Sequence, residues 1–221
     1  MIENSLQTLY CAFGPKHLKS FNENFILGSS ADDIFREPII GTQRKAKRIA
    51  AHYRLPVTTV IVTFNSSLQP PGRVELSNSN EFFVELQSQF RSNPKAIGAV
   101  LAHEVAHIFL HRCGVRFPDE LNNEVLTDTT AAYVGFGPTI MNGVTETTRH
   151  LPSNVIQTNT HHFGYLSLDE FGYILAKRDS LFEVDSTSMI DSGIASTTFA
   201  CGRDLNQRQL HARPFVTRPW Y

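Results

Sequence analysis

The stretch 92–113 constrains the fold more than any other part of the chain. Ala96, Ile97, Ala99, Val100, Ala102, Val105, Ala106, Ile108, Phe109 and Leu110 fill most of the circumference of a helix rather than one stripe. Ser92 or Asn93 can cap its start, Pro94 suits the first helical position, and Gly114 suits a left-handed residue just past its end. A helix with so little polar surface belongs inside the molecule. Yet it carries His103, Glu104 and His107, which are costly to bury without partners.

Those three residues form the pattern H-E-x-x-H. Positions i and i+4 share a helix face, with Cβ atoms roughly 5–6 Å apart. Two imidazoles so placed can each reach one ion at about 2.0–2.1 Å. Glu104, the next residue along, is close enough to take a proton from a water on that ion without being a ligand itself. His103 and His107 are therefore expected to bind one zinc ion (Zn2+) per chain, with Glu104 as the catalytic acid–base.

A catalytic zinc site wants three protein ligands and one open position. The candidates for the third are His111, Glu120, Glu124 and Asp128. His111 continues the histidine row but lies about 12 Å along the axis from His103, too far for one ion. It fits better as an imidazolium favoured by the helix C-terminus. Glu120 opens the next helix and reads as an exposed acid favoured by the N-terminal dipole. Glu124 and Asp128 are again i and i+4, among Val125, Leu126, Ala131 and Ala132. Two buried carboxylates on one face repel, and a cation with a histidine N–H would relieve them. Glu124 is assigned as the third ligand and Asp128 as the acceptor that orients a ligand histidine.

The rest of the chain reads as α+β, with strands first and helices after. Residues 1–40 show no clear period. Residues 42–54 predict a helix with Ala46, Ile49, Ala50 and Tyr53 inward, ended by Pro56. The β-branched run 57–64 predicts a strand, and 73–76 and 82–86 two more, with Pro70, Pro71 and Gly72 marking a turn. A helix is expected over 120–134, capped by Asp119 and stopped at Gly135 to Pro138. Residues 142–164 read as a Thr- and Asn-rich loop. Ser167 to Glu170 form a capping box opening a helix to about Arg178. The expected domain is 1–178 with its core at about 42–178, and 179–221 is expected as a polar, weakly patterned, partly disordered tail.

The H-E-x-x-H helix followed by Asn123, Glu124 and Asp128 in the pattern N-E-x-x-x-D resembles the gluzincin (thermolysin-like) metallopeptidases. The resemblance covers about 93–137 and no more. A wider pattern, with Pro71 and Gly72 before the helix and Gly164, Tyr165, Leu166 and Ser167 later, resembles short bacterial H-E-x-x-H proteins of unassigned function. The gluzincin resemblance implies a zincin-like domain: a small N-terminal sheet packed on an active-site helix and a second, ligand-bearing helix. It implies peptide hydrolysis, with Glu104 passing a proton from water to the leaving amine. It also implies a Tyr or His near the developing oxyanion. Tyr133, His150, His161, His162 and Tyr165 are candidates. The strand at 82–86 is a candidate for pairing with an extended substrate by its edge.

Composition narrows the partners. A net charge of −1 offers no broad basic field, so nucleic acid is not an expected partner and a DNA-associated protease is disfavoured. The basic run from Arg44 to Arg48 reads as a solvated helix face. Cys11, Cys113 and Cys201 are scattered and suit a reducing compartment. No apolar stretch approaches the roughly 20 residues a bilayer needs, and the first residues lack a secretory pattern. A cytoplasmic location, away from membrane, and a protein or peptide substrate are expected. The competing reading is a metal-binding regulatory or scaffold module, against which the intact Glu104 argues.

Overall fold

The computed structural model describes residues 1–26, 34–56, 59–76, 81–150, 156–161 and 163–212, of which 15–16, 145–150, 156–161 and 209–212 are described by backbone alone. Its centre is helix α3 (Pro94–Arg112), buried along nearly all its length. The side chain of Asn93 accepts from the Ala96 amide at 3.0 Å and caps the helix, while Pro94 occupies the first turn, where its missing N–H costs nothing.

Among the described residues, two long α-helices precede it in the chain. Helix α1 (Ile2–Lys19) buries Leu6, Leu9 and Leu18, which corrects the expectation of an unpatterned N-terminal region. Helix α2 (Pro38–His52) turns Ala46, Ile49 and Ala50 inward, and Tyr53 follows them into the core. Tyr53 stacks on Phe136 with ring centroids 4.9 Å apart and donates from its hydroxyl to the Ala102 carbonyl at 3.1 Å. Lys45, on the same helix, is fully buried and donates to the Pro94 carbonyl at 2.7 Å. The basic run is thus not a uniformly solvated face: one of its lysines is an internal strut between α2 and α3.

Strands β1 (Thr59–Asn65), β2 (Gly72–Val74) and β3 (Glu81–Gln87) form one sheet in the order β1-β3-β2. β3 runs parallel to β1 and antiparallel to β2. Its alternation buries Phe82, Val84 and Leu86 and turns Phe83 outward, as the two-residue period of a half-covered sheet demands. The short strand β2 lies directly against α3.

Helix α4 (Glu120–Ala131) packs beside α3. Its cap is Asp119, whose carboxylate accepts from the Asn122 amide at 2.9 Å. The helix does not stop after Val134. It widens into one π-helical turn (Ala132–Phe136) and resumes as the short α5 (Gly137–Met141). Three carbonyls of this turn meet groups from other elements. Arg178 donates to Tyr133, His52 meets Val134, and the Phe25 amide donates to Gly135.

Residues expected to form a loop contain a hairpin, β4 (Thr145–His150) with β5 (Ile156–His161), antiparallel. Alternation in this stretch is between polar residues, so no hydrophobic period marks it. The Ser167 capping box opens α6 (Leu168–Phe182), and α7 (Ile194–Ala212) packs along it through Ala195 and Phe199. The boundary expected at 178 falls inside α6, and residues 194–212 of the expected tail form α7, which meets its neighbour through Ala195, Phe199 and Asn206. Among the described residues no helix is long and apolar enough to cross a membrane.

Candidate metal centre

Helical spacing turns His103 and His107 toward α4, and Glu124 of α4 completes a triangle. The two Nε2 atoms are 3.0 Å apart, and Glu124 Oε2 lies 3.2 Å from that of His103 and 3.3 Å from that of His107. Ligands about 2.0–2.1 Å from a tetrahedral ion stand about 3.3–3.4 Å from one another. The triangle has nearly that size, and the cluster His103, His107 and Glu124 could hold a metal ion.

Both imidazoles are held from behind. Asp128, 1% exposed, accepts from His103 Nδ1 at 2.7 Å. Its other oxygen accepts from the backbone amides of Tyr165 at 2.5 Å and Leu166 at 3.0 Å. His107 Nδ1 lies 3.2 Å from the Thr127 hydroxyl, which itself donates to the Asn123 carbonyl at 2.9 Å. The hydroxyl is therefore left to accept, Nδ1 carries the proton on both rings, and Nε2 of each faces the cluster.

Electrostatics follow from this packing in the metal-free chain. Burial works against a charged Glu124, but hydrogen bonds from His103 and His107 outweigh it and hold its pKa at about 2. Burial also opposes a charged His103, yet Asp128 and Glu124 raise its pKa well above the ordinary histidine value. A cation would replace that proton as the charge balancing the carboxylates.

Glu104 is buried beside the cluster. Burial raises its pKa, with the two histidines pulling the other way. Its side chain lies against Gly72 at the start of β2. A Cβ there would come within 2.7 Å of Glu104 Oε1 and 2.5 Å of Val100 Cγ1, so only glycine lets the strand approach so closely.

The cluster opens into a cleft of about 580 Å³. Its floor is α3, one wall is α4 with Glu120 and Glu124, and the other sides are the 70–76 segment and the 163–165 turn. Glu120 lines the cleft and makes no ion pair with the described residues. His111 is exposed on the far turn of α3.

The oxyanion candidates separate. Tyr165 lines the cleft and is 56% exposed. Tyr133 does not line it. Its buried hydroxyl pairs with that of Tyr10, and its ring meets Phe182 edge-on; nine residues after Glu124, it falls on the opposite face of the helix from the ligand. The His150 and His161 side chains and the whole of His162 lie outside the described residues, although the backbone of His161 pairs with Thr145 in the hairpin. Among the described residues, β1 pairs with the whole of 82–86 on one side and β2 with 84–86 on the other, so the strand is central in its sheet. The strand beside the cleft is β2.

Sequence reasoning missed Thr127, and it named Gly72 and Gly164 only as part of a turn and of a wider pattern. Thr127 carried a signal: it lies three residues after Glu124 and so shares its helix face. What the two glycines touch was not legible, because Glu104 and Asp128 come from other elements. No protein-family model, curated protein or solved structure matches the chain.

Proposed function

We propose that the chain is a zinc-dependent metallopeptidase that hydrolyses peptide bonds in a restricted set of protein substrates. The observation that carries this reading is the triangle of His103, His107 and Glu124, sized for a tetrahedral ion and opening onto a cleft beside a buried carboxylate. The N, N, O donor set suits zinc, and both histidines have the outer partners that zinc histidines usually have. A zinc ion there would supply Lewis acidity, making water a better nucleophile at neutral pH and polarising a substrate carbonyl.

The chain's own residues supply the rest. Glu104, with its pKa raised by burial, is suited to accept a proton from the attacking water and to hold it for the leaving amine. Asp128 and Thr127 hold the ligand rings in orientation. Tyr165, whose exposed side chain lines the cleft, is our candidate among the described residues for donating to developing negative charge on the substrate. A purely structural site would have no use for a buried carboxylate at Glu104, which favours catalysis over a scaffold role.

The test is metal content and hydrolysis in parallel. Wild-type protein is expected to contain about one zinc per chain and to cleave a quenched fluorogenic peptide library. Glu104→Gln is expected to keep the metal and lose cleavage. Normal metal content in the double variant His103→Ala, His107→Ala would overturn the reading.

A further inference from the structure

The carboxylate of Asp128 serves two elements at once. One oxygen accepts from His103 Nδ1, and the other accepts from the amides of Tyr165 and Leu166. Gly164, at φ +99°, seats its α-carbon against the same group, and a Cβ there would lie 2.4 and 2.5 Å from the two Asp128 oxygens. Phe163 and Leu166 anchor the ends of this turn in the core, at 4% and 1% exposure. Between them, Gly164 and Tyr165 have no buried apolar side chain of their own. What holds the middle of the turn is Asp128, and that middle forms one side of the cleft.

We propose that Asp128 couples cation binding at the histidine cluster to the order of the 163–166 turn, so that the metal organises a wall of the substrate cleft. The inference rests on the metal-binding reading of the cluster but not on hydrolysis. A cation held by His103, His107 and Glu124 would fix the His103 ring, and the ring would then fix the Asp128 oxygen that Nδ1 addresses. With both oxygens engaged and Gly164 packed against them, the carboxylate cannot shift for one partner without disturbing the other. Linkage makes the effect reciprocal: whatever firms the turn tightens the metal, and whatever loosens the turn weakens it.

Amide hydrogen exchange and zinc affinity, measured on the full chain, test this together. Zinc is expected to slow exchange of the Tyr165 and Leu166 amides about tenfold or more, while the Asn122 amide at the α4 cap serves as an internal control. Gly164→Ala is expected to weaken zinc binding about 10–100-fold, the range for a disturbed outer partner, and Tyr165→Ala by less than about twofold because its backbone amide remains. Tight zinc binding with unchanged exchange at Tyr165 and Leu166 would overturn the coupling and leave the metal site standing. So would wild-type affinity in Gly164→Ala, or a Tyr165→Ala loss as large as that of Gly164→Ala. Failure of wild-type protein to bind zinc would overturn the metal reading and the coupling with it. If Gly164→Ala does not fold, the wild-type exchange comparison decides.

Discussion

The Thr127 hydroxyl stands 3.2 Å from His107 Nδ1 and gives its own proton to the Asn123 carbonyl. It is the acceptor that keeps His107 Nε2 facing the cluster. Thr127→Val removes that acceptor at nearly constant volume. Zinc affinity is expected to fall about tenfold, the lower end of what outer partners contribute, whereas Thr127→Ser retains it. Competition with a chromophoric chelator measures both. Equal affinities in wild type and Thr127→Val would remove Thr127 from the centre.

A bound ion stabilises the fold by mass action. At a free zinc concentration 100 times the dissociation constant, the folded state gains about 2.7 kcal/mol. Adding a chelator is therefore expected to lower the melting temperature of wild-type protein and to leave the double variant His103→Ala, His107→Ala unchanged. Differential scanning calorimetry with and without chelator checks this.

Lys45 predicts a pH dependence of stability. Its ammonium is buried against the Pro94 carbonyl, and burial, helped by Arg48, lowers its pKa from 10.5 to about 7. Between those two values the unfolded chain holds the proton and the folded chain does not. Stability should therefore rise with pH across that window, by at most about 1.4 kcal/mol per unit, with the full cost of the buried charge present below about 7. Lys45→Met should flatten this contribution and be more stable than wild type at pH 6. Urea denaturation of both proteins from pH 6 to 9 reads the two slopes.

Arg178 is expected to dominate the stability of the N-terminal packing. It is 0% exposed and donates to the carbonyls of Tyr133, Phe21, Asn22 and Glu23 and to the Asn24 side chain. Arg178→Leu strands those acceptors and leaves Asp179, 3.6 Å away, without its counter-charge. A loss of about 3–5 kcal/mol is expected in urea denaturation, with the zinc affinity of the folded protein unchanged.

Much of the local structure was legible because it depends on residues a few positions apart. The four-residue step from His103 to His107, and from Glu124 to Asp128, sets a common helix face through the 3.6-residue turn alone. Asn93, Asp119 and Ser167 cap helices through hydrogen bonds that span three residues, so their neighbours suffice to show them. The alternation in β3 and the α+β character follow from the same short periods.

What only the tertiary structure decided are the relations between elements. The order β1-β3-β2 placed β2, not β3, beside the cleft. The packing of α3 on α4 brought Glu124 within 3.3 Å of both histidines. Packing of the N-terminal helix α1 gave the Tyr133 hydroxyl its partner, Tyr10. Lys45 and Arg178 look like surface charges until their helices are docked, and Gly164 looks like any turn glycine until Asp128 meets it. Local hydrogen bonds and side-chain periods are decided within one or two turns of chain. Strand order, helix docking and the partners of a buried charge depend on closing long loops and filling a shared core, which no window of sequence contains.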